Sequence, residues 1–137
     1  MSIYDDLLIE KTQGGIFEKM RKVDSSIISI LTSKYPNIPV DYISFLEEIG
    51  SGQIGNNEYM IYNGLLKPDE VFASDSSQEL IGILIFGDDL QGYNSGFLVD
   101  DEWKIIEIDS VDMSYEVTFD NFYDFIIDKV QEVKANK

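Results

Sequence analysis

The chain has 137 residues, of which 44% are hydrophobic and 12% aromatic, and it carries a formal net charge of −16. That length suits one domain over residues 1–137, and the apolar content is too high for charge repulsion to keep the chain unfolded. There is no cysteine and no histidine. Disulfides, thiolate chemistry, zinc centres and nucleophile–histidine pairs are therefore excluded, and the usual general base near neutral pH is missing.

The charge is unevenly spread. Residues 1–40 hold five acids against five bases, residues 41–87 eight against one, and residues 88–137 thirteen against four. Such a field repels nucleic acid, whose binding depends on cations meeting phosphates, and it steers basic partners inward. Met1 to Asp6 lacks the basic start and apolar stretch of a signal peptide. The longest apolar run, Leu80 to Phe86, is interrupted by Gly82, whereas a spanning helix needs about 20 such residues. A cytoplasmic protein that does not enter membranes is expected.

In chain order, residues 3–9 form a short apolar-acidic stretch with helical character, ended by Gly14-Gly15. Ile16, Phe17, Met20 and Val23 recur at helical spacing and predict a helix stripe. Asp24 is placed to cap a further helix carrying Ile27, Ile28 and Leu31, which Pro36 stops. After Pro39 the pattern is clearest: Tyr42, Phe45, Leu46 and Ile49 sit at i, i+3, i+4 and i+7, with acids elsewhere on the wheel. Gly50 and Gly52 then terminate the helix.

From Gly55 the texture is that of strands and turns. Tyr59 to Tyr62 predicts a short strand, and Asn63-Gly64 a turn. Pro68 to Phe72 reads as a helical turn and Ala73 to Gln78 as a polar loop. Ile83 to Phe86, bounded by Gly82 and Gly87, predicts a central buried strand. Gly96–Val99 and Trp103–Ile108 flank Asp100-Asp101-Glu102 as a hairpin, with a last strand near Tyr115–Thr118. Phe119, Phe122, Ile126, Val130 and Val133 mark a long amphipathic C-terminal helix. This order predicts an α+β fold: an antiparallel β-sheet flanked by N-terminal helices and a C-terminal helix. Tyr42, Phe45, Leu46, Ile49, Ile83, Ile85, Phe119, Phe122 and Ile126 are expected to share one core.

Chemistry-bearing motifs are sparse. Gly50-Ser51-Gly52 trails a helix and has no lysine at phosphate-loop spacing. Asp88-Asp89-Leu90-Gln91-Gly92-Tyr93-Asn94 holds clustered oxygens, but lacks the Asp-x-Asp-x-Asp-Gly order, and Val99 stands where a calcium loop needs its glutamate. No catalytic residue, metal or cofactor is expected. Trp103 is expected to plug the sheet edge as core, with an interface anchor as the alternative.

Ile38-Pro39-Val40-Asp41-Tyr42-Ile43-Ser44-Phe45-Leu46, closing on Gly50-Ser51-Gly52, resembles the opening motif of the SMI1/KNR4-like (SUKH) family. Tyr62 to Val71 is similar to its next segment, a strand running into a short helix. Ile83 to Asp89 with Gly92 and Gly96-Phe97-Leu98 is similar to its central strand, glycine turn and return strand, and Phe119 to Ile126 to its C-terminal helix. The resemblance covers roughly residues 24–130 and leaves residues 1–23 outside it.

It implies an α+β fold and a non-catalytic protein-binding role. Bacterial members are commonly immunity proteins that neutralise a cognate polymorphic toxin, often a nuclease. Fungal members are cell-wall and signalling regulators, so a regulatory binding module is the alternative. The family motif specifies scaffold residues, and partner contacts are expected from the acidic surface: Asp88, Asp89, Tyr93, Asp100, Asp101 and Glu102, against a basic toxin. If the strands pair as successive hairpins, the 88–95 and 100–102 groups lie at opposite ends of the sheet. The 88–95 group, longer and holding Tyr93, is the favoured contact.

Overall fold

The computed structural model describes residues 3–72 and 80–135. A 3-10 helix, Asp5–Lys11, opens the chain, followed by α1 (Ser25–Lys34) and α2 (Val40–Glu48). Then come β1 (Gly52–Ile54), β2 (Tyr59–Leu66), the short α3 (Pro68–Val71), β3 (Ile83–Asp88), β4 (Tyr93–Leu98), β5 (Lys104–Asp109), β6 (Tyr115–Phe119) and α4 (Phe122–Ala135). The six strands form one antiparallel sheet in simple sequence order, β1 to β6. The expected α+β architecture, with helices before and after an antiparallel sheet, is therefore present. Among the described residues no helix is long and apolar enough to cross a membrane.

The main core lies between one sheet face and the helices. Tyr42, Phe45, Leu46 and Ile49 are fully buried, as the spacing of α2 required. The Tyr42 ring meets those of Phe97 at 5.2 Å and Phe122 at 5.1 Å, edge to face. Phe45 likewise meets Phe122 at 5.4 Å and Tyr4 at 5.3 Å. Each such pair contributes about 0.5–1.5 kcal/mol beyond area burial. Asp41 locks this layer from the rim of α2. Its carbonyl accepts the Tyr4 hydroxyl at 2.8 Å, and its carboxylate accepts the Tyr123 N–H at 3.0 Å.

The segment before α1 packs tightly but not as a helix. Ile16, Phe17, Met20 and Val23 are buried as predicted, yet the chain there runs through tight turns, with the Glu18 N–H bonded to the Gly15 carbonyl and the Met20 N–H to that of Phe17. Two features break the helix. Gly14 has φ +88°, and the Arg21 N–H and C=O both pair with Ser51 at 2.9 Å, which draws the chain into an extended bridge. Successive turns bury side chains every three to four residues, so their periodicity mimics a helix.

Three other expectations are corrected. Asn63-Gly64 is not a turn, because β2 runs through it with an irregular register between Ile61 and Leu66. The hairpin reversal lies earlier, at Gly55 (φ +67°) and Asn57 (φ +63°). Ile83 and Ile85 do not join the main core. Strand alternation sends Leu84 and Phe86 to the helices, while Ile83 and Ile85 meet Leu80, Ile106 and Ile108 on the opposite face. All four are buried, and an unbroken apolar run does not reveal which face is which. Phe119 closes β6 instead of starting the C-terminal helix, although it still packs on the main core. The polar loop expected at 73–78 lies outside the described residues.

Candidate functional site

The residues singled out from the sequence fall at the two ends of the sheet, because β3–β4 and β4–β5 are consecutive hairpins. At the β4–β5 end, the turn turns back through Glu102 and Trp103, both at φ +57°. Trp103 is buried, with its ring 5.4 Å from Phe97 and 6.1 Å from Tyr35, so it is core. Asp101 makes a loose 3.8 Å ion pair with Lys104. Asp100 and Glu102 are exposed, without a hydrogen bond or ion pair among the described residues. Asp100 borders an open groove of about 560 Å³ lined by Tyr35, Pro68, Ile81, Ile83 and Val99.

The β3–β4 end is built differently. Its loop is only Asp89–Gly92, because Tyr93, Asn94 and Ser95 already belong to β4. Asp88 accepts the Leu90 N–H at 2.9 Å on one oxygen and the Tyr62 hydroxyl on the other. Asp89 accepts the N–H groups of Gln91 at 2.8 Å and Tyr93 at 3.0 Å. These are side-chain turns, in which a short carboxylate substitutes for main-chain acceptors. Gly92 has a positive φ, +105°, which glycine adopts without strain. Burial and the Asp88 hydrogen bond push the Tyr62 phenol above its ordinary range.

Asp88 points to the sheet face of Tyr62 and Asn94, whose amide lies 3.4 Å from the Tyr62 hydroxyl. Asp89 and Tyr93 instead join acids that the sequence reading did not single out. Glu107 follows Ile105 on the helix side of β5 and stands opposite Glu116 of β6. A cavity of about 210 Å³ is lined by Glu58, Asp89, Glu107, Lys129 and Glu132. A second, of about 370 Å³, is lined by Tyr93, Glu107, Asp109, Tyr115 and Glu116. Glu107 belongs to both, so the surface is continuous. Burial raises the Glu107 carboxyl above its usual range; Lys129 opposes the shift, and Asp89, Glu116 and Glu132 add to it. Lys129 is already committed, 3.1 Å from Glu132 and stacked over the Tyr59 ring at 5.3 Å. One Glu58 oxygen is buried without a hydrogen-bond partner among the described residues. Tyr93, 42% exposed, stands beside these groups on the same face, and Tyr115, 43% exposed, borders them from the opposite face of β6.

A signal for this surface did exist. Residues 105, 107 and 109 alternate on one face of a strand, so an inward Ile105 forces Glu107 and Asp109 to the same side. The contributions of Glu116 and Glu132 depend on β6 register and on how α4 crosses the sheet, which no local pattern encodes. Together, fold and surface define an α+β domain with an acidic, tyrosine-bearing face at one end of its sheet. No protein-family model and no curated protein matches the chain.

Proposed function

We propose that the protein is a non-catalytic binding domain of the SMI1/KNR4-like (SUKH) type, acting in the cytoplasm as an immunity protein that neutralises a basic, nuclease-type bacterial toxin. The observation that carries this reading is the crowding of Glu58, Asp89, Glu107, Asp109, Glu116 and Glu132 along two adjoining cavities, with Lys129 as the one base among the described residues there. Like charges so placed oppose one another; at Glu107 burial is the main cause of the raised carboxyl, Lys129 opposes it, and Asp89, Glu116 and Glu132 add to it. A cationic surface set against them relieves that repulsion. A nuclease holds phosphates through such a surface, and an acidic face can occupy it without any chemistry. The half-exposed Tyr93 supplies rigid contact area. The order of helices, antiparallel sheet and closing helix supports the family reading.

The alternative is a regulatory protein-binding module unconnected to a toxin. The apolar groove beside Asp100, with Ile81 82% exposed at its rim, favours it. Co-purification with the product of the adjacent reading frame, followed by association kinetics, separates the two. The immunity reading expects a complex whose association rate falls steeply with salt. Asp89→Asn combined with Glu107→Gln should slow it several-fold at low ionic strength. A complex indifferent to salt and to these changes, but lost on Ile81→Asp, favours the regulatory module.

A further inference from the structure

We propose that a partner of this protein binds by strand addition: an extended segment of alternating cationic and apolar residues pairs with the free edge of β6 and continues the sheet as a seventh strand. This rests on reading the acidic face as a partner surface, and it adds how orientation and register would be set.

The two edges of the sheet are unlike. β1 is three residues long, and the chain just before it is covered by the Arg21–Ser51 bridge. β6 is five residues long, and among the described residues it pairs with β5 alone. The Asp109 N–H bonds to the Ser114 carbonyl at 2.9 Å, and the register continues through Ile108–Tyr115, Glu107–Glu116 and Ile106–Val117. Antiparallel pairs alternate between bonded and non-bonded, which makes Glu107–Glu116 a bonded pair. The N–H and C=O groups of Tyr115 and Val117 therefore point away from β5. Sheets usually protect such an edge with proline, lysine or a very short strand. Tyr-Glu-Val-Thr-Phe contains neither proline nor lysine, its register irregularity falls beyond Val117, and Tyr115 and Val117 remain 43% and 48% exposed.

Charge selects the occupant. On the helix side of the sheet, Glu116 faces Glu107 directly, a like-charged cross-strand pair that destabilises the sheet. A lysine or arginine on an added strand, beside Glu116, would neutralise it. On the other side, Tyr115 and Val117 offer an apolar strip for the alternate residues. A second copy of this chain would instead bring a further net charge of −16 and a second Glu107–Glu116 pair to the same edge. A cationic strand is thus the complementary occupant, recognised by main-chain bonds for affinity and alternate side chains for specificity.

The test uses the full chain, labelled with ¹⁵N, and two synthetic peptides of alternating valine and lysine. The second peptide is N-methylated at the positions facing β6, so charge and composition are kept while pairing is blocked. At low ionic strength the unmodified peptide should protect the Tyr115 and Val117 amides from exchange. It should bind at least tenfold more tightly than the methylated one. Val117→Pro removes an outward N–H and leaves the ladder to β5, so it should weaken binding at least tenfold with the Glu116 amide still protected. Equal affinity for both peptides overturns strand addition without depending on any protein variant.

If that insensitive binding is lost on Asp89→Asn with Glu107→Gln, the acidic face stands as a partner surface and only the edge pairing falls. If neither peptide binds, strand addition falls, and the salt dependence of the natural complex decides the acidic-face reading separately. A β6-dependent dimer in sedimentation, abolished by Val117→Pro, would assign the edge to a second copy and overturn the cationic occupant.

Discussion

The two hairpin ends of the sheet read alike in sequence, as clusters of aspartate and glutamate between strands, but they are held together by different forces. At the β4–β5 end the anchor is apolar: Trp103 is buried against Phe97 and Tyr35, and Asp100 and Glu102 are left unengaged among the described residues. At the β3–β4 end the carboxylates are themselves the anchor, with Asp88 and Asp89 accepting three main-chain N–H groups and a tyrosine hydroxyl between them. An acid in a turn is therefore not one kind of residue. Where the chain must reverse within four residues, Asp89–Gly92, it supplies acceptors the backbone lacks. Where a large ring can fold under the turn, it is released to the surface.

The largest effect that sharpens this contrast is expected from Trp103→Ala. Removing a buried indole should cost about 3–5 kcal/mol, measured by urea unfolding. A loss below about 1 kcal/mol would mean that the β4–β5 turn is not anchored by its ring. Next comes a paired comparison of acids. Asp88→Ala with Asp89→Ala should cost about 1–3 kcal/mol, because amides that bonded to charged acceptors lose them. Asp100→Ala with Glu102→Ala should stay within about 0.5 kcal/mol, as unengaged surface positions do. Equal losses from the two pairs would erase the distinction.

A change of about 1 kcal/mol is expected in the core between the two ends. The Tyr42 hydroxyl is buried without a hydrogen-bond partner among the described residues, and burial pushes its phenol well above the ordinary range. Tyr42→Phe keeps the ring contacts with Phe97 and Phe122 and removes an uncompensated polar group. It should raise the unfolding midpoint in urea. A lower midpoint would show that the hydroxyl is satisfied, by a buried water for example.

How far the sequence disclosed all this varies by region for physical reasons. The helix α2 was legible because one amphipathic stripe sufficed, and α4 because a long stripe outweighed an uncertain start. The turns at 12–20 were not, since tandem turns and a helix bury side chains at nearly the same period. Asn63-Gly64 misled because β2 pairs with β3 before it, at Met60 and Ile61, and again after it, at Leu66, so the chain runs on through the irregular register instead of reversing. In the candidate site, Asp89 and Tyr93 were visible as charged and aromatic residues near a glycine turn. Glu107, Glu116 and Glu132 come together only through tertiary packing, and isolated acids on a strand or helix look like ordinary solvated positions.

The smallest effect is also the one that tests whether the β3–β4 end is electrostatically strained. The folded-state carboxyl of Glu107 is raised, first by burial, with Lys129 opposing and Asp89, Glu116 and Glu132 adding. A carboxyl raised on folding makes the native state bind the proton more tightly than the unfolded state. Stability from this group is therefore present below the unfolded value and declines as pH rises through the folded one. Glu107→Gln mimics the protonated form at every pH. The variant and the parent should match in acid, and the variant should become the more stable of the two as pH climbs through and above the ordinary carboxylate range. The gain at neutral pH should stay below about 1 kcal/mol, since Glu107 is partly exposed and solvent screens it. Salt should shrink it further. If Glu107→Gln instead destabilises the protein at neutral pH, the attraction of Lys129 outweighs the repulsion, and the acidic face is already compensated from within.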